Sequence, residues 1–203
     1  VKYVIIHAGF NDLKNPNNKN ASKDTVDSLL SSILRAQEKF KHALIVVSLI
    51  LPVQNPTHSI GINSRNKKIN VTNKLLMKHL SKMPNVSMIE HKRFQRSASL
   101  FTPSGIHLSG RGYKVLISDI KETIEELTVK RNEETAVHDE EPSDDRDNVD
   151  DCDVLIIAGP RAHRIDANGL FRSRRVKKVN VNTAEDARKV LMDMKPSDDL
   201  EFV

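Results

Sequence analysis

Seven cationic residues fall within eighteen positions: Arg161, Arg164, Arg172, Arg174, Arg175, Lys177 and Lys178. A guanidinium grips phosphate oxygens in pairs, so the chemistry these residues offer is polyanion binding. Arg65, Lys67 and Lys68 near the start of one helical segment, and Lys92, Arg93 and Arg96 after a strand-like run, would add to such a surface. His163 lies beside Arg161, but no neighbour in the sequence would orient it as a base. Tyr3, Tyr113 and six Phe offer few stacking platforms, so base-specific reading of a nucleic acid is not expected. A second stretch of interest is Val4-Ile5-Ile6-His7-Ala8-Gly9-Phe10-Asn11-Asp12, an apolar run cut off by turn residues. Such a run reads as a buried parallel strand that delivers its last residues to a functional edge.

The charge of the chain is divided. Its 203 residues carry a net +5, yet residues 131–153 hold eleven acids against Arg131 and Arg146. The remainder is therefore strongly basic, with 30 basic residues against 16 acidic. A basic body with an acidic tether suits an anionic partner, RNA or another polyanion first. The single cysteine, Cys152, excludes an internal disulfide framework and a Cys-based zinc site, and no cofactor is implied. No apolar run approaches the roughly 20 residues that span a bilayer, and none resembles a signal peptide, which favours an intracellular protein without membrane contact.

Positioning these residues requires alternating elements. Strands are expected at Val4–Ala8, Ala43–Leu51, Val86–Ile89, Val154–Ala158 and Val176–Val181. Between them lie helical periodicities. The first, capped by Ser22 or Asp24, runs to about Phe40 with Val26, Leu29, Leu30, Ile33 and Leu34 inward. A basic amphipathic helix from about Ile62 to Met83 carries Ile69, Val71, Leu75, Leu76 and Leu80. A third follows Ser109-Gly110-Arg111-Gly112 to about Val129, and a fourth, capped by Thr183, covers Ala184–Met194. Arg161–Ile165 is expected to open another helix. Strands and helices in this rhythm mean a parallel α/β sheet. Residues 131–152, without periodicity and dense in charge, read as a disordered acidic linker.

Both ends of the chain look unfinished. Leu200–Val203 is an apolar stub, and Val1–Ile6 opens directly in a strand. Joined tail to head, they would make one long strand. Residues 1–130 and 153–203 then read as the C-terminal and N-terminal portions of one composite, circularly permuted domain, with 131–152 bridging the former termini.

In that order the chain resembles the SGNH (GDSL-like) hydrolase superfamily, and looks closest to retroelement-type esterase-like domains. The motifs that carry the likeness are Ile5-Ile6-His7-Ala8-Gly9-Phe10-Asn11-Asp12 and Gly105-Ile106-His107-Leu108-Ser109-Gly110-Arg111-Gly112-Tyr113. Val46–Pro52 and Ile69–Asn73 fit the middle of such domains. The resemblance implies a three-layer α/β/α sandwich on a five-stranded, parallel, flavodoxin-like sheet. It also implies a Ser nucleophile, a His base oriented by an Asp three residues earlier, and Gly and Asn oxyanion donors. Carried over, Asn11 takes the oxyanion position and His107 the base position. Ser104 stands where the orienting Asp belongs, Arg161 where the nucleophile belongs, and Val181-Asn182-Thr183 offers no Gly. A guanidinium is no nucleophile, and a long cation would fill the acyl pocket. The resemblance therefore implies a pseudoenzyme, a non-catalytic binding or scaffold module in a superfamily whose noncatalytic members include RNA binders. The alternative is a weak esterase in which His107 works with Ser104 or Ser109.

Overall fold

A computed structural model describes residues 1–15, 17–54, 59–136, 153–166 and 174–194. Five strands form one parallel sheet: β1 (Tyr3–His7), β2 (Leu44–Ser48), β3 (Val86–Ile89), β4 (Val154–Ala158) and β5 (Val176–Asn180). The order across the sheet is β3-β2-β1-β4-β5. Counted from β4, that order is 2-1-3-4-5, the flavodoxin-like arrangement of doubly wound sheets. The central strand β1 pairs with β2 through Ile5 and Val46, and with β4 through Ile5 and Ile156. β4 and β1, far apart in sequence, are therefore direct neighbours.

Among the described residues four helices cover the sheet: α1 (Ala21–Lys39), α2 (Ser59–Leu80), α3 (Gly110–Ala136) and α4 (Ala184–Asp193). Strand side chains alternate between faces, so a strand buried on both sides must be apolar throughout. Every residue of β1 and β4 is buried, and both follow this rule except at His7, the last residue of β1. Val4, Ile6, Ile45, Val47, Leu155 and Ile157 face α1, α2 and α4, through Leu29, Ile33, Leu76, Leu80, Ala187 and Leu191. Tyr3, Ile5, Val46, Val154 and Ile156 face α3 through Leu116, Ile120 and Ile124, with Phe94, Leu100 and Phe101 of the loop before α3 completing that layer. The result is the expected three-layer α/β/α sandwich.

The elements differ from expectation in places. Leu34 and Val71, expected inward, are exposed, because the helical turn sets each on the side of its helix away from the buried residues, Val26, Leu29, Ile33 and Ala36 in α1 and Ile69, Leu76 and Leu80 in α2. α1 starts at Ala21 behind Asn20; the Ser22 hydroxyl donates instead to the Lys68 carbonyl, and Asp24 accepts from Asn18. α3 runs on to Ala136, so the first six residues of the expected linker are helical. Pro160–Ala162 forms one 3-10 turn rather than opening a helix. The rest of the acidic segment (137–152), the 200–203 stub and Arg172 lie outside the described residues.

Candidate functional site

The carboxyl ends of β1 and β4 part company. After β1 the chain crosses the α1 face to β2, and after β4 it packs Ala162 and Ile165 on the opposite, α3 face. Neighbouring strands whose connections diverge leave a crevice, the place where such sheets take ligands. Two tight turns form its floor. Gly9 has φ +99°, a left-handed conformation, and a side chain there would press on Thr25 and Ile50. Gly159 donates its N–H to the His7 carbonyl at 2.6 Å, and a Cβ at 159 would lie 2.9 Å from that oxygen.

Arg161 fills this crevice. It is 2% exposed, and its guanidinium lies 3.6 Å from the centroid of the Phe10 ring. Nη1 donates to the Leu51 and Pro52 carbonyls, both at 2.8 Å. Burial, aided by repulsion from Arg65, pushes its pKa down to about 9. The space left among His7, Ala8, Phe10, Ile50, Leu51, Gly159 and Pro160 is about 10 Å³, room for one water at most.

Beside Arg161 runs a buried polar chain that the sequence reading missed. His7 Nδ1 and Ser48 Oγ are 2.6 Å apart, Ser48 Oγ and His91 Nε2 2.6 Å, and His91 Nδ1 and Asp119 Oδ2 2.7 Å. Arg93 closes the chain on Asp119 and reaches Glu122. A carboxylate only accepts, so His91 donates from Nδ1 and accepts at Nε2 from the Ser48 hydroxyl, which in turn accepts from His7 Nδ1–H. Every bond then has one donor. Burial alone would raise the Asp119 carboxyl, but bonds from His91 and Arg93 outweigh it and hold the group below its usual range. Burial, with smaller pushes from His91 and Arg161, takes His7 down to about 3 and keeps it neutral. His91 adopts φ 52°, a left-handed backbone that this network holds in place.

Ser48–His91–Asp119 has the bonding order of a hydrolase triad. Ser48, however, is 3% exposed and its oxygen is enclosed between two imidazoles. Two clues were legible: His7 and Ser48 both close apolar strands, and His91 follows β3 by two residues. Polar side chains ending three adjacent strands are brought together by parallel register alone.

The residues expected from the family pattern stand apart from that chain. Asn11 is half-buried in the 3-10 turn Asn11–Leu13, and its carbonyl accepts from Lys14. His107 is exposed, and its imidazole makes no hydrogen bond with Ser104 or Ser109. The Ser104 hydroxyl pairs with Thr102 at 2.9 Å. The Ser109 hydroxyl donates to the Ser99 carbonyl and accepts from Gly112 N–H, capping α3.

The basic constellation is divided between the two ends of the sheet. Arg161 is buried at the carboxyl end, and exposed Arg164 acts there on Tyr113. Lys178 donates to the His163 and Ile165 carbonyls, and Lys177 is half-buried on β5. Arg174 and Arg175 precede β5, at the amino end. There Arg174 stacks on Tyr3 at 5.4 Å and donates to Thr128. Lys2, paired with Asp153 at 3.1 Å, and Arg131, which donates to the His42 carbonyl, stand beside it. Lys2, Tyr3, Thr128, Arg131, Asn132, Asp153 and Arg174 line a cleft of about 490 Å³. A second, of about 470 Å³, continues past Arg131 along Lys130, Lys41 and His42.

Among the described residues no three His, Cys, Asp or Glu are placed to hold a metal ion, and no helix is long and apolar enough to cross a membrane. No family model matches the chain, and neither does any curated protein or solved structure.

Proposed function

We propose that the chain is a non-catalytic, SGNH-hydrolase-like binding or scaffold module of permuted order that engages a polyanion, RNA among the candidates. The observation that carries the non-catalytic part is Arg161. At the position the family pattern reserves for a nucleophile stands a buried, ring-stacked, carbonyl-bound guanidinium that leaves no room for an acyl group. The polyanion part rests on the amino end of the sheet. Lys2, Arg131 and Arg174 converge on one cleft there, with Lys41 and Lys130 along its continuation and Arg175 close by in sequence. Asp153 is the carboxylate lining the first cleft, and Lys2 pairs with it. The sparse aromatics of the two clefts suit phosphate contact rather than base stacking.

Fluorescence anisotropy with a single-stranded RNA across a salt series tests this. Three phosphate contacts give a log–log salt slope of about −2, and each of Arg131→Ala and Arg174→Ala flattens it by about 0.7. A flat salt response in the parent protein would exclude phosphate-driven binding. The enzymatic alternative draws on the bonding order of Ser48, His91 and Asp119. Ester hydrolysis above the buffer rate, abolished by Ser48→Ala or His91→Ala, would favour it instead; loss on His107→Ala would point to His107 with Ser104 or Ser109.

A further inference from the structure

The amino-end cleft holds a charge that phosphate binding does not explain. Lys2, Arg131 and Arg174 suit phosphates, yet the Asp153 carboxylate stands among them with its side chain 17% exposed. Burial alone would raise its pKa, but bonds from Lys2 and the Arg175 N–H outweigh burial and hold the group below the usual carboxylate range. Asp153 is therefore an anion at neutral pH, and it repels a phosphate beside it. Its position is fixed. The Asp153 carbonyl accepts from the Lys2 and Tyr3 N–H groups, both at 3.0 Å. Oδ1 pairs with Lys2 Nζ at 3.1 Å, and Oδ2 accepts from the Arg175 N–H at 3.2 Å. A carboxylate offers about four lone pairs, so these bonds leave acceptor capacity on both oxygens. The neighbouring hydroxyl is committed: Thr128 donates to the Ile124 carbonyl and accepts from Tyr3 O–H and Arg174 Nη2.

We propose that Asp153 reads ribose: its carboxylate accepts a hydrogen bond from a 2′-hydroxyl while the surrounding cations hold the flanking phosphates, so the cleft selects RNA over DNA. This rests on the polyanion reading of the same cleft. The 2′-hydroxyl is the donor that RNA carries and DNA lacks. In dinucleotide sites an acid beside the phosphate-binding turn meets the same ribose group. A hydrogen bond to an ionised acceptor is roughly twice as strong as one between neutral groups. A deoxyribose leaves the carboxylate facing phosphates with nothing gained, so one residue favours RNA and disfavours DNA together. Holding Lys2 and the Arg175 N–H is a structural role, and it is indifferent to the sugar of a ligand. Discrimination between sugars therefore separates the two roles.

The test titrates the full chain with a single-stranded oligonucleotide of one base sequence, made with ribose, 2′-deoxyribose, 2′-fluoro or 2′-O-methyl sugars. The 2′-fluoro sugar keeps the ribose pucker but cannot donate, which separates the hydrogen bond from sugar shape. RNA should bind about tenfold more tightly than the other three. Asp153→Ala should bring all four together, weakening RNA and strengthening DNA as the cleft loses its negative charge. Asp153→Asn keeps an acceptor for the Arg175 N–H, so it preserves the local fold if the alanine variant does not, and it should cut the preference to about two- to threefold. Equal salt-sensitive binding of all four by the parent overturns the assignment and leaves the polyanion reading standing. So does a preference shared by the 2′-fluoro strand, or one that persists in Asp153→Ala. Absence of binding to all four overturns both.

Discussion

His7 makes acid the sharpest probe of this fold. Its pKa falls from 6.5 in an unfolded chain to about 3 in the folded one, chiefly because burial disfavours the imidazolium. A depressed folded value means that the unfolded chain takes up the proton first. The stabilising contribution of neutral His7 is complete above about pH 6.5 and is lost as pH falls towards 3. Between pH 7 and pH 4 this linkage removes about 3 kcal/mol, a large share of the 5–15 kcal/mol of a typical domain. Asp119, held below its usual range, loses its own contribution only further down, as pH drops through 3.8 and below. Urea unfolding followed by far-ultraviolet circular dichroism at pH 7, 6, 5 and 4 measures the loss. His7→Asn supplies the control, because an amide N–H can stand near the position of Nδ1 and does not titrate. The variant should be less stable at pH 7, where it lacks the full imidazole packing, but its stability should fall by about 3 kcal/mol less than the parent's on the way to pH 4. Parallel pH profiles for parent and variant would refute the buried, neutral His7 and the directed chain of bonds built on it.

Two local features allow equally direct tests. Gly112 sits in the first turn of α3 with its Cα against the backbone of Leu100, so a Cβ would overlap the Leu100 carbonyl oxygen. Gly112→Ala should cost about 3 kcal/mol in chemical denaturation, whereas Gly110→Ala, with nothing within 4 Å of the added methyl, should be neutral or stabilise by up to about 1 kcal/mol. Equal effects would contradict the close approach of α3 to the 98–100 turn. At α4, Thr183 and Asp186 form a reciprocal capping box, with the Asp186 N–H bonding the Thr183 hydroxyl at 3.0 Å. Thr183→Ala should lower stability by about 1 kcal/mol and Tm by about 2–4 °C.

Much of the fold could be read from residue order, and the reason is physical. Parallel strands buried on both faces have to be apolar at successive positions, so Val4–Ala8, Ala43–Leu51 and Val154–Ala158 announce themselves. The cap at Thr183 is similarly local, since its partner Asp186 is three residues away. The larger failures are non-local. Arg161 looked like part of a basic surface because seven cations crowd eighteen positions, but Arg161 follows β4 at the carboxyl end of the sheet, whereas Arg174 and Arg175 precede the parallel strand β5 at the amino end. Leu34 and Val71 are a different case: both are apolar, but the helical turn carries them away from the buried stripes of α1 and α2. His7, Ser48 and His91 stand at or just beyond the ends of three strands, which the sequence hints at, but nothing in the sequence ties Asp119, in the middle of α3, to them.

That distribution of polar groups bears on function. A doubly wound sheet offers its ligand crevice at the carboxyl end, and here the floor of that crevice is occupied twice: by the His7–Ser48–His91–Asp119 chain, in which each bond consumes one donor and one acceptor, and by Arg161 against Phe10. The chain is saturated and enclosed, so it rigidifies the strand ends. Arg161 is unsaturated, with one nitrogen committed to carbonyls and two without partners among the described residues. A saturated network can be removed only at a cost in stability. The pH dependence above therefore reports on the saturated chain and not on Arg161.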